Sequence, residues 1–451
     1  MMPHDLYLLL VAAVGLGLLL VLIIKFKLNP FVTLLLTSIF IGLCSGISPT
    51  AVIGAVQSGM ANTLGTIAVI IGLGSIFGAM LEKSGGAEEI AYTLIKKFGE
   101  KNTAWALVIT GFIVGVTVFF DVGFILLIPI IFGLAKKSKR SVLTYAIPLL
   151  GGLASGFAMV PPSPLPVAIA AIFHVNLGIV IIFGVIASIP TMILAGIVFG
   201  RFIGNKIYLP VNESLDLMDH KKNEGKHKRP TFSMTITIAL VPLVLIVLNT
   251  LSNILGFTHS ISTILSFIGN PFVALIIATL IAIYFLGVRL NYTREEIMDI
   301  TTRALQPAGL IILIVGAGGV LKEMMVATGI GTVLGHVFMS THMPIIVIAF
   351  LIALIARLTQ GSSIVAAMTA AGLVYPIIEK LTLSSSYTAL IIVAIGCGAT
   401  ACSHVNDSGF WLVNRYLGAS IKDTFKSWTI METIVGFTGF FIVLILSFFI
   451  A

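Results

Sequence analysis

Charge is what this chain of 451 residues has least of: 10% are Asp, Glu, Lys or Arg, against 58% hydrophobic. A soluble domain needs a charged surface. That scarcity, with a mean hydropathy of +1.12, excludes a soluble protein and places the chain in the polytopic membrane class. Cysteine is scarce too. Cys44, Cys397 and Cys402 lie inside apolar runs without metal-ligand spacing, so they read as small packing residues, and no metal site is expected. No Walker A sequence occurs: Gly225-Lys226 is followed by His227, and no strand precedes it. This argues against ATP-driven transport by the chain alone, and no cofactor is expected. The first apolar run, Leu6 to Ile24, has no basic residue ahead of it, whereas Lys25 and Lys27 follow it. A cleavable signal peptide has the reverse order, so the run is read as a retained helix with its amino end outside. The net charge of +8 would suggest nucleic acid in a soluble protein. Here the basic residues sit in short connections, so they report topology and no nucleic-acid partner is expected.

What is present is a succession of apolar runs of about 20 residues, the length that crosses the hydrocarbon layer. Helices are expected at about 6–24, 29–46 and 62–82, the last meeting Lys83, Lys96, Lys97 and Lys101 inside. Residues 86–99 have helical amphipathic spacing and read as a helix on the inner surface. The run 103–135 is broken at Phe119-Phe-Asp-Val-Gly123 and flanked by Lys101 and by Lys136, Lys137, Lys139 and Arg140. Starting and ending on one side, it fits a re-entrant hairpin with Asp121 at its tip. The run 142–174 is broken by Pro161-Pro-Ser-Pro-Leu-Pro166, because proline lacks an N–H and clashes with the preceding turn. A helix at 177–200 leads to the basic stretch 201–230, with Lys221, Lys222, Lys226, Lys228 and Arg229.

The second half repeats the plan. Helices are expected at about 232–251, 264–287 and 306–321, then an amphipathic stretch at 323–340. The run 343–379 is broken at Arg357-Leu-Thr-Gln-Gly-Ser-Ser363, and 386–416 at Ser403-His-Val-Asn-Asp-Ser408, before a last helix at about 427–450. The positive-inside rule holds at nearly every connection, Lys322 and Lys380 excepted. This divides the chain into a first repeat (1–201), a cytoplasmic basic linker (202–230) and a second repeat (231–451), with both termini outside.

Local matches support the repeat. Gly72 to Gly85 pairs with Gly316 to Gly329, Phe112 with Phe350, and Tyr145 with Tyr387, laying Pro161–Pro166 over Ser403–Ser408. Five net crossings in the first half make the repeat inverted, a common plan among secondary transporters, whose sites lie at paired interruptions near the midplane. The expected fold class is therefore an all-α polytopic membrane protein: an inverted-topology repeat with two re-entrant helical hairpins and two broken transmembrane helices.

The four interruptions are expected to converge. They bring Asp121, Gly123 and Ser163 from the first half, and Arg357, Thr359, Gln360, Gly361, Ser362, Ser363, His404, Asn406, Asp407 and Ser408 from the second. Helix amino ends attract a carboxylate, and hydroxyls and carboxamides suit a polyhydroxylated ligand, so a small anionic hydroxy acid is favoured. An intramembrane carboxylate is costly unless paired, protonated or coordinating. Asp121 is thus read as proton carrier or ligand contact, against a structural cap on the tip. Asp407 and His404 join it as proton-coupling candidates, against helix capping for Asp407 and a structural hydrogen bond for His404. Arg357 either clamps the substrate carboxylate or neutralises Asp407 or Asp121. Glycines at 72–86 and 151–156 read as close helix packing.

Ser403-His-Val-Asn-Asp-Ser-Gly-Phe-Trp411, with Thr359-Gln-Gly-Ser-Ser363, resembles the signature of the gluconate permease family, in the larger ion transporter superfamily. The resemblance extends to Lys27-Leu-Asn-Pro-Phe31, Gly72-Leu-Gly74, Ser84-Gly-Gly-Ala87 and Phe119 to Pro129. It implies a proton-coupled symporter importing gluconate or related acids across the bacterial inner membrane, with an elevator-like or rocking movement of the hairpin-bearing unit. The family pattern has Glu at Asp121 and Pro-Pro-His-Pro-Gly-Pro at 161–166. Those two departures open the alternatives of a shorter acid such as glycerate, or of sodium as coupling ion. The partners expected are a small organic acid anion, protons, the bilayer and a second copy of the chain, as a dimer. Two readings from other classes are weaker. An intramembrane hydrolase would need Ser403 and His404 to meet, but adjacent helical residues point about 100° apart. A passive anion channel does not call for paired hairpins.

Overall fold

Beyond the first helix, which starts at Pro3, proline opens four of the helices, and each time it stands at the first helical position, where its missing N–H has no partner to lose. Asn29 caps α2 (Pro30–Cys44), its Oδ1 accepting the N–H of Phe31 at 2.9 Å. Ser48 caps α3 (Pro49–Lys83) and Asn270 caps α12 (Pro271–Leu290) in the same way. The fourth is α8 (Pro164–Phe173), discussed below. The computed structural model describes residues 3–211, 227–255, 259–340, 343–379, 381 and 383–450, and among these no strand occurs. Lys221, Lys222 and Lys226 of the basic stretch, and Lys380, lie outside the described residues.

Around those four run α1 (Pro3–Ile24), the amphipathic α4 (Gly86–Phe98), α5 (Thr103–Thr117), α6 (Phe120–Ser138), α7 (Leu143–Met159) and α9 (Leu177–Lys206). The second half holds α10 (Phe232–Leu255), α11 (His259–Ile268), α13 (Arg294–Ala327), α14 (Ile330–Ser340) and α15 (Ile345–Gln360). It closes with α16 (Ser363–Ile378), α17 (Ser385–Thr400), α18 (Ser408–Leu417) and α19 (Ile421–Ile450). Eight helical stretches among the described residues are long and apolar enough to span a membrane, as a polytopic protein requires.

Three expected boundaries move. The helix expected at 62–82 begins at Pro49, because Ser48-Pro49 is a start signal lying outside the apolar window. The helix expected at 306–321 runs from Arg294 to Ala327: Thr293 and Glu296 form a capping box ahead of the apolar part, where hydropathy is blind. The crossing expected at 264–287 is split at Gly269-Asn270-Pro271, where Asn270 ends one helix and caps the next.

Burial separates an outer layer from an inner one. Only 28% of the apolar window of α1 is buried, whereas 94% of that spanning α7 and α8 is. The broken helices are therefore the interior, and exposed side chains such as Leu10, Val14, Phe448 and Phe449 face outward. Glycine sets how closely the inner helices approach. A Cβ on Gly156 of α7 would lie 2.7 Å from the carbonyl oxygen of Phe112, and one on Gly398 of α17 would lie 2.4 Å from that of Phe350. The same close crossing thus recurs in the two halves, between residues matched in the sequence. The long helices α3 and α13 cross in the same manner, at Gly59 against Gly319, as small residues permit where lipid supplies no hydrophobic drive between helices.

Candidate functional site

The two interruptions of the first half meet in one place. α5 ends at Thr117, Val118 is extended, and Phe119 turns the chain into α6 with no side chain capping the new helix. The first N–H groups of α6 are therefore free to face a ligand. Pro161 and Pro162 are joined by a cis peptide bond, and Ser163 leads into α8. The buried Ser163 hydroxyl donates backward to the carbonyl of Phe157 at 2.7 Å instead of capping α8. Between these breaks and helices α3 and α13 lies a cavity of about 460 Å³, lined by Gly74, Ser75, Thr117, Phe119, Ser163 and Arg303 among others. Gly78 lets the α5–α6 turn come close: its Cβ would stand 2.4 Å from the Thr117 carbonyl oxygen. Gly123 is buried where a Cβ would meet Val114 and Leu153, so it serves packing of α6. Asp121, second residue of α6, is exposed.

The interruptions of the second half also meet, but by charge and hydrogen bonding. Arg357, 2% exposed, donates to the carbonyl of Gly361 at 2.6 Å and to Asp407 Oδ2 at 2.5 Å. Asp407 also accepts from the Ser403 hydroxyl, and its other oxygen caps α18 by accepting the Gly409 N–H at 3.1 Å. Trp428 of α19 donates to Ser403 Oγ at 2.8 Å. Asn406 donates to the Leu358 carbonyl at 2.9 Å, and Gly361, at φ +75°, packs on Asn406 so tightly that a Cβ would lie 2.2 Å from its oxygen. The left-handed φ and the close approach both call for glycine.

Of the open readings for Arg357, the pairing with Asp407 is the one present, and Asp407 is at once ion-pair partner and helix cap. His404 is half-buried, with Nδ1 3.0 Å from the carbonyl of Cys402, a local hydrogen bond. The Ser403 hydroxyl is engaged by Asp407 and Trp428, leaving the hydrolase reading without its nucleophile–base pair. Ser362 and Ser363 begin α16, half-buried, and Ser408 is exposed at the start of α18.

Convergence of all four interruptions is incomplete. Thr359 bonds back to its own helix at Ile355. With Gln360 it faces a separate apolar cavity of about 270 Å³, shared with Leu16, Leu19 and Leu20 of α1. Two residues before Thr359 on α15, Arg357 points the other way, so one helical run serves two sides. The halves are joined by α6: the ring of Phe120 lies 5.3 Å from that of Trp428, and Phe124 packs edge-on to Tyr416 of α18. Asp121 stands near enough to Asp407 for the carboxylates to repel.

Sequence reasoning missed three side chains. Trp428 and the 3%-exposed Glu432 lie inside the last apolar helix; an acid in such a run was the available signal. Lys322, set aside as an exception to the charge rule, is buried with Nζ 3.2 Å from His174 Nε2 and 4.1 Å over the Tyr375 ring. Among the described residues no group of three or more His, Cys, Asp or Glu is placed to hold a metal.

A family model described as GntP family permease matches residues 7–449. The gluconate permease of Pseudomonas aeruginosa is 38% identical over 449 residues, 99% of each chain. The Gnt-II system L-idonate transporter of Escherichia coli is 37% identical over 432 residues, 96% of this chain and 97% of its own. The crystal structure of the Alcanivorax borkumensis YdaH transporter shares the fold at 12% identity, with a TM-score of 0.67 over 93% of this chain and 99% of that one. A match that runs nearly end to end, on a chain built of membrane-length helices, makes this protein a transporter and not an enzyme: it belongs to the GntP family of permeases.

Proposed function

We propose that this permease imports a gluconate-type sugar-acid anion together with protons. The observation that carries the reading is the 460 Å³ cavity between the first pair of interruptions, in a chain whose full-length relatives are named for gluconate and L-idonate. The uncapped amino end of α6 suits the carboxylate, and Ser75 and Thr117 offer hydroxyl oxygens to a polyol. Arg303 and Lys83 line the same cavity, each paired with an acid that also lines it, Asp299 and Glu82, so the charges there balance and the carboxylate is left to the helix end. A shorter acid such as glycerate is the second reading. It rests on the departure at Ser163 and Leu165 from the family's run and on the shorter carboxylate at Asp121.

In this reading, Asp121, His404 and Asp407 exchange protons, and Arg357 is released from Asp407 as that carboxylate is protonated. The recurrence of the Gly156–Phe112 and Gly398–Phe350 crossings supports an inverted repeat, with α5–α6 and α15–α16 as re-entrant hairpins. The chain then divides at 1–201, 202–230 and 231–451, with the basic linker cytoplasmic, both termini outside and the assembly a dimer. The test is uptake of labelled gluconate, idonate and glycerate into proteoliposomes. An inward proton gradient drives accumulation that an uncoupler abolishes; uptake indifferent to the uncoupler but dependent on sodium overturns the proton assignment. Asp121→Asn inserts normally and loses gradient-driven accumulation, and normal accumulation by that variant refutes its role.

A further inference from the structure

Apart from Asp423 in its first turn, Glu432 is the one carboxyl of the last helix, and the helix aims it at the second break. Trp428, four residues before, donates to Ser403. Gly436, four residues after, packs on Ala401 and Cys397, where a Cβ would meet Ala401 at 2.5 Å. Thr433 reaches the sulfur of Cys402 at 3.6 Å. The face of α19 from 428 to 436 therefore lies on residues 397–403, and Glu432 sits at its centre, 3% exposed. A π-helical turn over Phe425–Thr429 shifts the register just ahead of it, a feature often found at functional sites.

No described residue donates a hydrogen bond to this carboxyl, while Arg357 and Asp407 lie within electrostatic reach. The local inventory is one guanidinium and two acids, and Asp407 holds the guanidinium through Nη2. The Nε of Arg357 is buried without a partner. A buried acid lacking both donor and cation is tolerated at membrane depth in its neutral form. Around it, α15 contributes Arg357, the break contributes Cys402, His404 and Asp407, and α17 contributes Cys397 and Tyr387, while Lys422, Asp423 and Lys426 stand at the start of its own helix. α7 carries only Tyr145, and α9 only Arg201 and Lys206 near its far end. Among the described residues, Arg357 is the one cation within electrostatic reach of Glu432.

We propose that Glu432 is a further proton-binding residue of the transport cycle, neutral while Asp407 holds Arg357 and ionised when Arg357 turns its free Nε–H toward it. On ionisation the O–H bond breaks, the proton passes to water entering the break, and the carboxylate takes the guanidinium that Asp407, protonated in turn, gives up. Arg357 thus keeps one partner in both states. The inference rests on the proton-coupled reading above.

The experiment uses the full chain in proteoliposomes with labelled gluconate. Wild-type accumulation under an inward proton gradient is measured first; its absence sinks the proton-coupled reading itself, whatever Glu432 does. Glu432→Gln, isosteric with the neutral acid, keeps counterflow exchange but loses accumulation, about tenfold for a gradient of about one pH unit. Glu432→Asp keeps a titratable carboxyl and retains part of the accumulation. Wild-type accumulation in Glu432→Gln overturns the proposal. So does loss of counterflow and accumulation in both variants, which marks a packing role only.

Discussion

The two breaks of the inner helices occupy corresponding places and are built from opposite materials. That at 159–164 has no charge, three prolines, and a hydroxyl turned back on its own chain, and it borders open space. That at 400–408 is filled by an ion pair, a capping carboxylate, a serine and a tryptophan from another helix. One offers room and unoccupied helix ends; the other offers charge and no room. If the first takes the sugar acid and the second takes the proton, coupling requires a link between them, and α6, with Phe120 on Trp428 and Phe124 on Tyr416, is where they touch.

The strongest way to break this comparison is Arg357→Leu. Removing one member of a buried pair leaves a charge uncompensated, at about 3–5 kcal/mol, so the variant unfolds at much lower temperature in detergent and does not transport. Arg357→Lys does not rescue it, because a lysine lacks the fork that reaches Gly361 and Asp407 together. Wild-type thermal stability in either variant means the second break does not depend on its ion pair.

A smaller effect tests the same physics away from both breaks. Glu88 of α4, outside the candidate spans, has its carboxyl pushed up from 4.5 to about 7, chiefly by burial, and one oxygen is buried without a partner. The folded protein then holds a proton that the unfolded chain has released. Stability is full below about 4.5 and falls as pH rises through about 7. Glu88→Gln removes this slope and is the more stable protein above pH 7, by up to about 3 kcal/mol. Thermal unfolding from pH 5 to 8 checks it; an unchanged slope means that Glu88 is solvated and that its burial is not costly here. The smallest effect is expected at Ser163→Ala, which removes one donor to Phe157 at about 1 kcal/mol. Its transport is near wild type, since the first break works through backbone and space; severe loss of uptake instead assigns the hydroxyl to the ligand.

Much of this was legible in the residues. Proline and the caps Asn29, Ser48 and Asn270 mark helix starts by local chemistry, and four prolines at 161–166 forbid a continuous helix wherever the chain goes. Phe119–Gly123 and Arg357–Ser363 read as interruptions for the same local reasons. The lengths of α3 and α13 were misread because hydropathy measures how apolar a segment is, whereas a helix continues as long as its hydrogen bonds do.

The sequence by itself determined that the chain lives in a membrane, where its helices break, and which polar residues sit at the breaks, since all three follow from composition and backbone rules acting within a few residues. Only the tertiary structure decided which break holds space and which holds charge. It turned Arg357 toward Asp407 and Thr359 toward α1, set Trp428 on Ser403, and carried Glu432 from the last helix to a site whose ion pair, Arg357 and Asp407, lies 25 or more positions earlier. Those pairings depend on how closely glycine-lined helices cross, and that distance is written in the packing of the whole bundle.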